Sequence, residues 1–447
     1  MLETSTGGDS AATRFGVREF RFDTPTRRAY LNDKPIFLRG SNITLHRFFE
    51  DPVSGTLPWD DKWLHEMLVT IPKRMHWNSF RFCIGPVPEH WLDIADEEGF
   101  LIQNEYFVWL SGGWFGDAYK IRLADDEIIG EYKEWMRDNW NHASIVLWDA
   151  NNESKYPNFT TKIIPAVRSL DLSNRPWENS YNAPAGADDP VETHPYLTIN
   201  LHQGEAGGEP FRMTQLEGWS DSPHRVSVPT GHAEIINEYG WLWLNRDGSG
   251  TKLTTDVYPK ILGHRDSSEE RVRWNSYLLA GETEFWRAYR HYAGVLHFVY
   301  LTGCDPEGYT CDNFRDVRKL ELQPGFEDFL ANAFAPLGVY LNFWQPTLEP
   351  GSENDYTVML VNDDDVASQG TLALILEDQN GITLAKNEQT YTVAPLGQTT
   401  MLVHFRVPAG SHAKCTFKAV AIPTSGKYRQ TTQSRRWVDV AAKAHIR

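Results

Sequence analysis

Two glutamates stand at the ends of apolar runs, each directly after an asparagine. Ile145-Val-Leu-Trp-Asp-Ala-Asn-Asn-Glu-Ser154 carries Glu153, and Ala233-Glu-Ile-Ile-Asn-Glu-Tyr-Gly240 carries Glu238. A carboxylic acid can protonate a departing oxygen, and a carboxylate can attack carbon. Facing each other, two such groups are the minimum apparatus for cleaving a glycosidic bond. At a separation of about 5–5.5 Å one protonates the leaving oxygen while the other bonds to the sugar carbon, and configuration is retained. A single glutamate in a loop is ordinarily a solvated residue or an ion-pair partner; two in matched settings point to a working pair.

Such a pair must be held by opposite strands, and the chain supplies them. Ser79-Phe-Arg-Phe-Cys-Ile84 reads as a strand and Gly85-Pro-Val-Pro88 as a turn. A helix follows with Trp91, Leu92, Ile94 and Ala95 on its apolar face and Gly99 at its end, before Phe100-Leu-Ile102 opens the next strand. Connections this short join parallel neighbours. Eight candidate strands end near Ser41, Ile84, Glu105, Trp148, Ser180, Tyr196, Asn237 and Tyr300. They predict an α/β fold, a (β/α)8 TIM barrel over residues 28–334. The fifth and sixth ends lie too close for a full helix between them, whereas residues 246–273 leave room for an extended loop and a helix. Function in such a barrel is read at the C-terminal strand ends, where Asn42, His46, Arg81, Asn104, Glu105, Asn152, Glu153, His194, Tyr196, Asn237 and Glu238 collect. On strands four and seven, Glu153 and Glu238 would face each other across the mouth.

After Pro336 the texture changes to short strands separated by turn clusters: Tyr356–Val361, Thr371–Leu376, Tyr391–Val393, Met401–Phe405 and Cys415–Ile422. This pattern predicts an immunoglobulin-like β-sandwich over residues 335–447. Asp363, Asp364 and Asp365 read as a sandwich turn rather than a calcium site. Residues 1–27 read as a lead-in and the remnant of a preceding β-sandwich.

Composition sets outer limits. The 447 residues carry a formal charge of −17 and no basic block, which argues against a nucleic-acid partner. No apolar run is long enough for a transmembrane helix, and Met1–Arg14 lacks the apolar stretch of a signal peptide. Cellular location stays open: periplasmic or extracellular after loss of a leader, cytoplasmic otherwise. The 17 Trp, 18 Tyr and 22 Phe suit both a large core and clefts that stack sugars. Among the four cysteines there is no CxxC pair, so a structural zinc site is not expected; Cys304 and Cys311 are close enough in sequence to bond.

These motifs together resemble glycoside hydrolase family 2, the group containing β-galactosidases, β-glucuronidases and β-mannosidases. Phe15-Gly-Val-Arg18 with Leu31–Asn42 resembles the family's entry into its barrel. Asn78-Ser-Phe-Arg81 and Asp93–Ile102 resemble its second and third strands, Trp148–Glu153 the segment bearing the acid/base, and Asn237-Glu-Tyr-Gly240 the segment bearing the nucleophile. The resemblance implies that Glu153 is the general acid/base, Glu238 the nucleophile, and Asn152 a ligand of the sugar 2-hydroxyl. It also places Arg81 beside Glu238, keeping it ionised, and makes Tyr196 a partner of the nucleophile. His194 and His46 would be sugar contacts. Glu105 would bind substrate or brace Arg81. Trp241, with Trp243, would wall the sugar subsite or pack beneath its loop, and Trp109 and Trp114 have the better claim to exposure.

The chain also departs from the family. Only Phe15–Phe22 resembles the last strand of the sandwich that usually precedes the barrel. Gly294-Val-Leu-His-Phe298 lacks the tryptophan usual in the eighth strand, and there is no Asn-x-Lys clamp for a uronic acid. The expectation is a retaining exo-β-glycosidase acting on β-galactosides in oligosaccharides or polysaccharide-derived glycosides, without cofactor or metal. The alternatives are β-glucuronidase or β-mannosidase activity, or a carbohydrate-binding barrel without catalysis, which would have no need of both acids.

Overall fold

The computed structural model describes residues 1–109, 124–202, 210–221, 231–305 and 307–442. Contacts divide the chain into two compact units. One comprises Met1–Tyr196, His224–His264 and Tyr292–Gln323; the other comprises Leu197–Pro223, Arg265–His291 and Pro324–Arg447.

The first unit is built on an eight-stranded parallel barrel sheet: β1 (Leu38–Ile43), β2 (Ser79–Phe82), β3 (Leu101–Glu105), β4 (Ile145–Asp149), β5 (Trp177–Glu178), β6 (Val191–Thr193), β7 (Glu234–Ile236) and β8 (Gly294–Leu301). The hydrogen-bonded order is β5-β4-β3-β2-β1-β8-β7-β6. Strands β2, β3, β4, β6 and β8 are buried at every residue, as expected where both faces of a parallel sheet are covered. Gly40 is required in β1, because a β-carbon there would fall 1.8 Å from the Ser79 carbonyl oxygen on β2. The helix after β2 spans Glu89–Glu98; it begins after Pro88 and ends at Gly99, whose φ of 77° no β-branched residue would accept readily. No helix lies between β5 and β6, as their spacing implied. The side chain of Asp189 works across that seam, accepting from the Trp177 N–H at 2.9 Å and pairing with Arg168.

At the N-terminal side Phe20–Asp23, Arg28–Leu31 and Lys34–Ile36 form an antiparallel meander. Phe20, Phe22 and Ala29 pack with Leu38, Leu101, Leu147, Ile235 and Leu296 into one apolar cluster. The strand expected over Phe15–Phe22 therefore begins only at Phe20, and the expected boundary after residue 27 falls inside the meander.

The second unit carries a three-stranded sheet, with Glu353–Asn362 between Leu337–Leu341 and Gln398–Arg406, and a five-stranded sheet that includes Ser368–Glu377, Thr383–Val393, His412–Ser425 and Thr432–Val440. Val358, Leu360, Leu372, Leu374, Phe405 and Phe417 lie in its core. The chain is thus a TIM barrel followed by a β-sandwich. The strand Thr432–Val440 escapes a search for apolar alternation because its buried positions include Ser434 and Arg436. Arg436 lies 3.1 Å from Glu284 and stacks on Trp344 at 3.5 Å. Among the described residues no helix is long and apolar enough to cross a membrane.

Candidate active site

Glu153 lies four residues beyond β4 and has a φ of 42°, a left-handed conformation unusual for a residue with a side chain. The turn is held from both sides. The Asn152 N–H donates to the Val108 carbonyl at 2.8 Å, and the Ser154 N–H donates to Ser180 Oγ at 3.2 Å. Glu238 lies two residues beyond β7. Asn42, at the end of β1, donates to the carbonyl of Asn237 at 2.6 Å and so fixes the backbone just before it.

Arg81 on β2 is fully buried and joins the strand ends. Its Nη1 donates to Glu238 Oε1 at 2.5 Å, its Nη2 to Asn152 Oδ1 at 3.1 Å, and its Nε to Asp149 Oδ2 at 2.8 Å. Nη2 is also 2.8 Å from Glu105 and 3.6 Å from Glu192. A guanidinium offers only donors, so Asn152 must present its oxygen to Arg81, which leaves its Nδ2 as the donating end. Tyr196 donates its hydroxyl to the other Glu238 oxygen, Oε2.

The His194 side chain, 1% exposed, occupies the gap between the acids. Its Nδ1 is 3.0 Å from Glu153 Oε1 and 3.7 Å from Glu238 Oε2, and its Nε2 is 3.1 Å from Glu192 Oε2. Tyr181 also donates to Glu153 Oε1, at 3.2 Å. One carboxylate oxygen from each of Glu153 and Glu238 and a ring nitrogen of His194 all lie within 4.8 Å of one another.

Burial and charge set protonation here. Burial, with several acids nearby, pushes Glu105 well above the usual carboxylate range despite Arg81. Glu178 is pushed up in the same way, by burial and by Glu192 and Asp149. Burial alone would raise Glu192, but the His194 and Arg81 charges and hydrogen bonds from His194 and Asn237 bring it down to about 2. Burial would make His194 lose its proton; Glu238, Glu192 and Glu153 more than offset this and hold it above its ordinary value. Asp149, Glu178 and Glu192 also converge, with ligand atoms within 4.8 Å, as do Glu153, His194 and Glu238. Either set has the donor types for a cation, but Arg81 and His194 already supply positive charge beside both.

Seven of the expected site residues, Arg81, Glu105, Asn152, Glu153, His194, Tyr196 and Glu238, come together in this network. Of the two roles open to Glu105, its complete burial against Arg81 fits the brace and not a substrate contact. His46 does not join: it is exposed on the short helix Leu45–Phe48 and takes no part in these hydrogen bonds. Trp241 is 7% exposed, donates to the Leu253 carbonyl at 3.0 Å, and packs edge-on to Tyr196 with ring centroids 5.1 Å apart. It therefore backs the tyrosine instead of forming an open wall. Trp109 is partly buried, with the Arg47 guanidinium 6.0 Å from its ring; Trp114 lies outside the described residues. In β8, Phe298 packs edge-on to Trp243 at 5.8 Å. Asp149, Tyr181 and Glu192 escaped the sequence reading. A period-two count from His194 would have found Glu192, which faces the same side of β6.

Residues 25–225 match the family described as "Glycosyl hydrolases family 2, TIM barrel domain". The chain is 26% identical over 179 residues to β-galactosidase BgaC of Bifidobacterium adolescentis, covering 38% of this chain and 16% of that protein. It is 30% identical over 170 residues to a putative β-glucuronidase of Formosa agariphila, covering 36% and 15%. Its fold is similar to that of a β-D-mannosidase from Dictyoglomus thermophilum, with a TM-score of 0.63 and 16% identity over 95% of this chain and 54% of that one. The matches thus span about half of the solved mannosidase and a much smaller part of the two curated relatives.

Proposed function

With its segment 25–225 belonging to the TIM barrel domain of glycoside hydrolase family 2, we propose that this chain is a retaining exo-β-glycosidase acting through Glu153 and Glu238. The observation that carries this reading is the approach of the two acids, one oxygen of each lying within 4.8 Å of the other. Retaining enzymes hold their carboxyl groups about 5–5.5 Å apart, whereas inverting ones need about 6.5–9.5 Å to admit a water between acid and sugar. The close approach supports the first.

Glu238 attacks the anomeric carbon as the bond to the leaving oxygen breaks, and Glu153 gives that oxygen its proton. Water then attacks the glycosyl ester, Glu153 takes the water's proton, and Glu238 departs as carboxylate. Arg81 and Tyr196 hold one oxygen of Glu238 each, which aims the carboxylate and limits its rotation. Asn152 Nδ2 is the donor for the sugar 2-hydroxyl, a contact that strengthens in the transition state.

The substrate class we propose is a terminal β-linked neutral sugar, a β-galactoside first, in an oligosaccharide or polysaccharide-derived glycoside. Arg81 is committed to carboxylates of the protein and does not serve as a clamp for a uronic acid. A panel of aryl β-glycosides tests the reading. Hydrolysis of at least one, with the β-anomer appearing first by NMR, is expected; an α-anomer first, or no turnover across the panel, would overturn it.

A further inference from the structure

Glu192 has no place in the reaction as drawn, yet it is fully buried and lies behind the proposed acid/base. Resting on the reading of Glu153 as that group, we infer that Glu192 is a positioning residue: through His194 it fixes Glu153 Oε1 and reserves Oε2 for the proton that goes to the leaving oxygen.

Glu192 Oε2 takes the Asn237 Nδ2–H at 2.8 Å and faces His194 Nε2 at 3.1 Å. An ionised carboxylate only accepts, so Nε2 carries a proton and the imidazole orientation is set. The opposite nitrogen, Nδ1, then meets Glu153 Oε1 at 3.0 Å, where Tyr181 also donates at 3.2 Å. With two donors on Oε1, the acid form of Glu153 holds its proton on Oε2. The same pair of donors stabilises the carboxylate left after that proton departs. Without Glu192, a buried imidazole would become neutral and could turn its other nitrogen to Glu153, removing one donor and one charge.

The groups facing His194 are few and lie on four segments. They are Glu192 and Tyr196 from β6 and its extension, Glu153 after β4, Tyr181 after β5, and Glu238 after β7. Arg81, from β2, lies 3.6 Å from Glu192 and opposes a further positive charge there. The carboxylates prevail, and the imidazole is held in its charged form.

The test uses the whole chain labelled at histidine 13Cε1, with the His194 resonance assigned by its loss in His194→Gln. In the wild type His194 should titrate above the ordinary imidazole range. In Glu192→Gln its titration midpoint should fall by about one unit or more. The basic limb of the pH profile for a β-glycoside whose leaving group needs protonation should then move to higher pH, because a positive charge beside Glu153 has gone, with kcat lowered more than KM is changed. Glu192→Asp should recover part of both effects. A neutral wild-type His194 at pH 7, or an unchanged midpoint in Glu192→Gln, overturns the inference, as does a rate loss with an unmoved profile. The resonance reports without turnover, so an inactive wild type would count against the proposed function alone.

Discussion

Arg81 Nη1 lies 2.5 Å from Glu238 Oε1, while the Nε of the same guanidinium lies 2.8 Å from Asp149. One planar cation thus ties the proposed nucleophile on the β7 side to the buried floor of β4. Lysine would keep the charge but could not donate in three fixed directions. Arg81→Lys is therefore expected to lower kcat/KM for an aryl β-glycoside by about 10²-fold or more, the scale of losing a preorganised donor. Arg81→Ala, which strands acids without their cation, should also cost about 3–5 kcal/mol of stability. Wild-type kinetics in Arg81→Lys would sink this account.

The barrel was legible because its strands are short and punctuated by Gly and Pro; Ser79–Phe82 through Gly99 is one repeat that can be read without help. The paired glutamates were legible because each follows such a strand within a few residues, directly after an asparagine. What escaped was set by partners distant in sequence. Glu192 looks like an ordinary strand residue until Arg81 and His194 are brought to it. Thr432–Val440 hides an inward arginine that only Glu284 explains. The burial of Trp241 depends on Tyr196 and Leu253, neither adjacent in sequence.

Asp312 makes a prediction about pH. Burial pushes its carboxyl up to about 6, although Arg246 and the Phe314 N–H pull the other way. The folded state then holds this proton more tightly than the unfolded chain, so wild-type stability falls as pH rises from about 4 to about 6. Asp312→Asn cannot titrate. Across that window, its unfolding free energy should gain on the wild type by about 2–3 kcal/mol, whatever the starting offset. Denaturant unfolding at both ends of the window measures the change; a gain by the wild type on raising pH would contradict it.

Cys304 and Cys311, which the sequence left open, are bonded. The Cys304 N–H donates to Asp51, whose carboxylate pairs with Arg246 at 2.7 Å, and Arg246 also holds Asp312 at 2.7 Å. The bridge closes a short loop, with a sequence separation of 7. Its loss in the double serine variant should lower unfolding free energy by about 2 kcal/mol. Dithiothreitol added to the wild type should reproduce that shift, and an unmoved unfolding midpoint in both experiments would argue against the bridge.

The last prediction separates the proposed roles of the two acids. Glu238→Ala should abolish turnover of every glycoside, since no covalent intermediate can form. Glu153→Ala should depend on the leaving group: an activated aryl glycoside departs without a proton, so the first step survives while deglycosylation stalls for want of a base. Azide, small and anionic, should then restore turnover and give a β-glycosyl azide, because it attacks the intermediate from the face that water would use. With Glu238→Ala the same azide should give the α-product by direct attack from the opposite face. Product stereochemistry by NMR therefore assigns each carboxylate by itself. Identical products from both variants, or full activity of either on a natural glycoside, would show that the pair works otherwise.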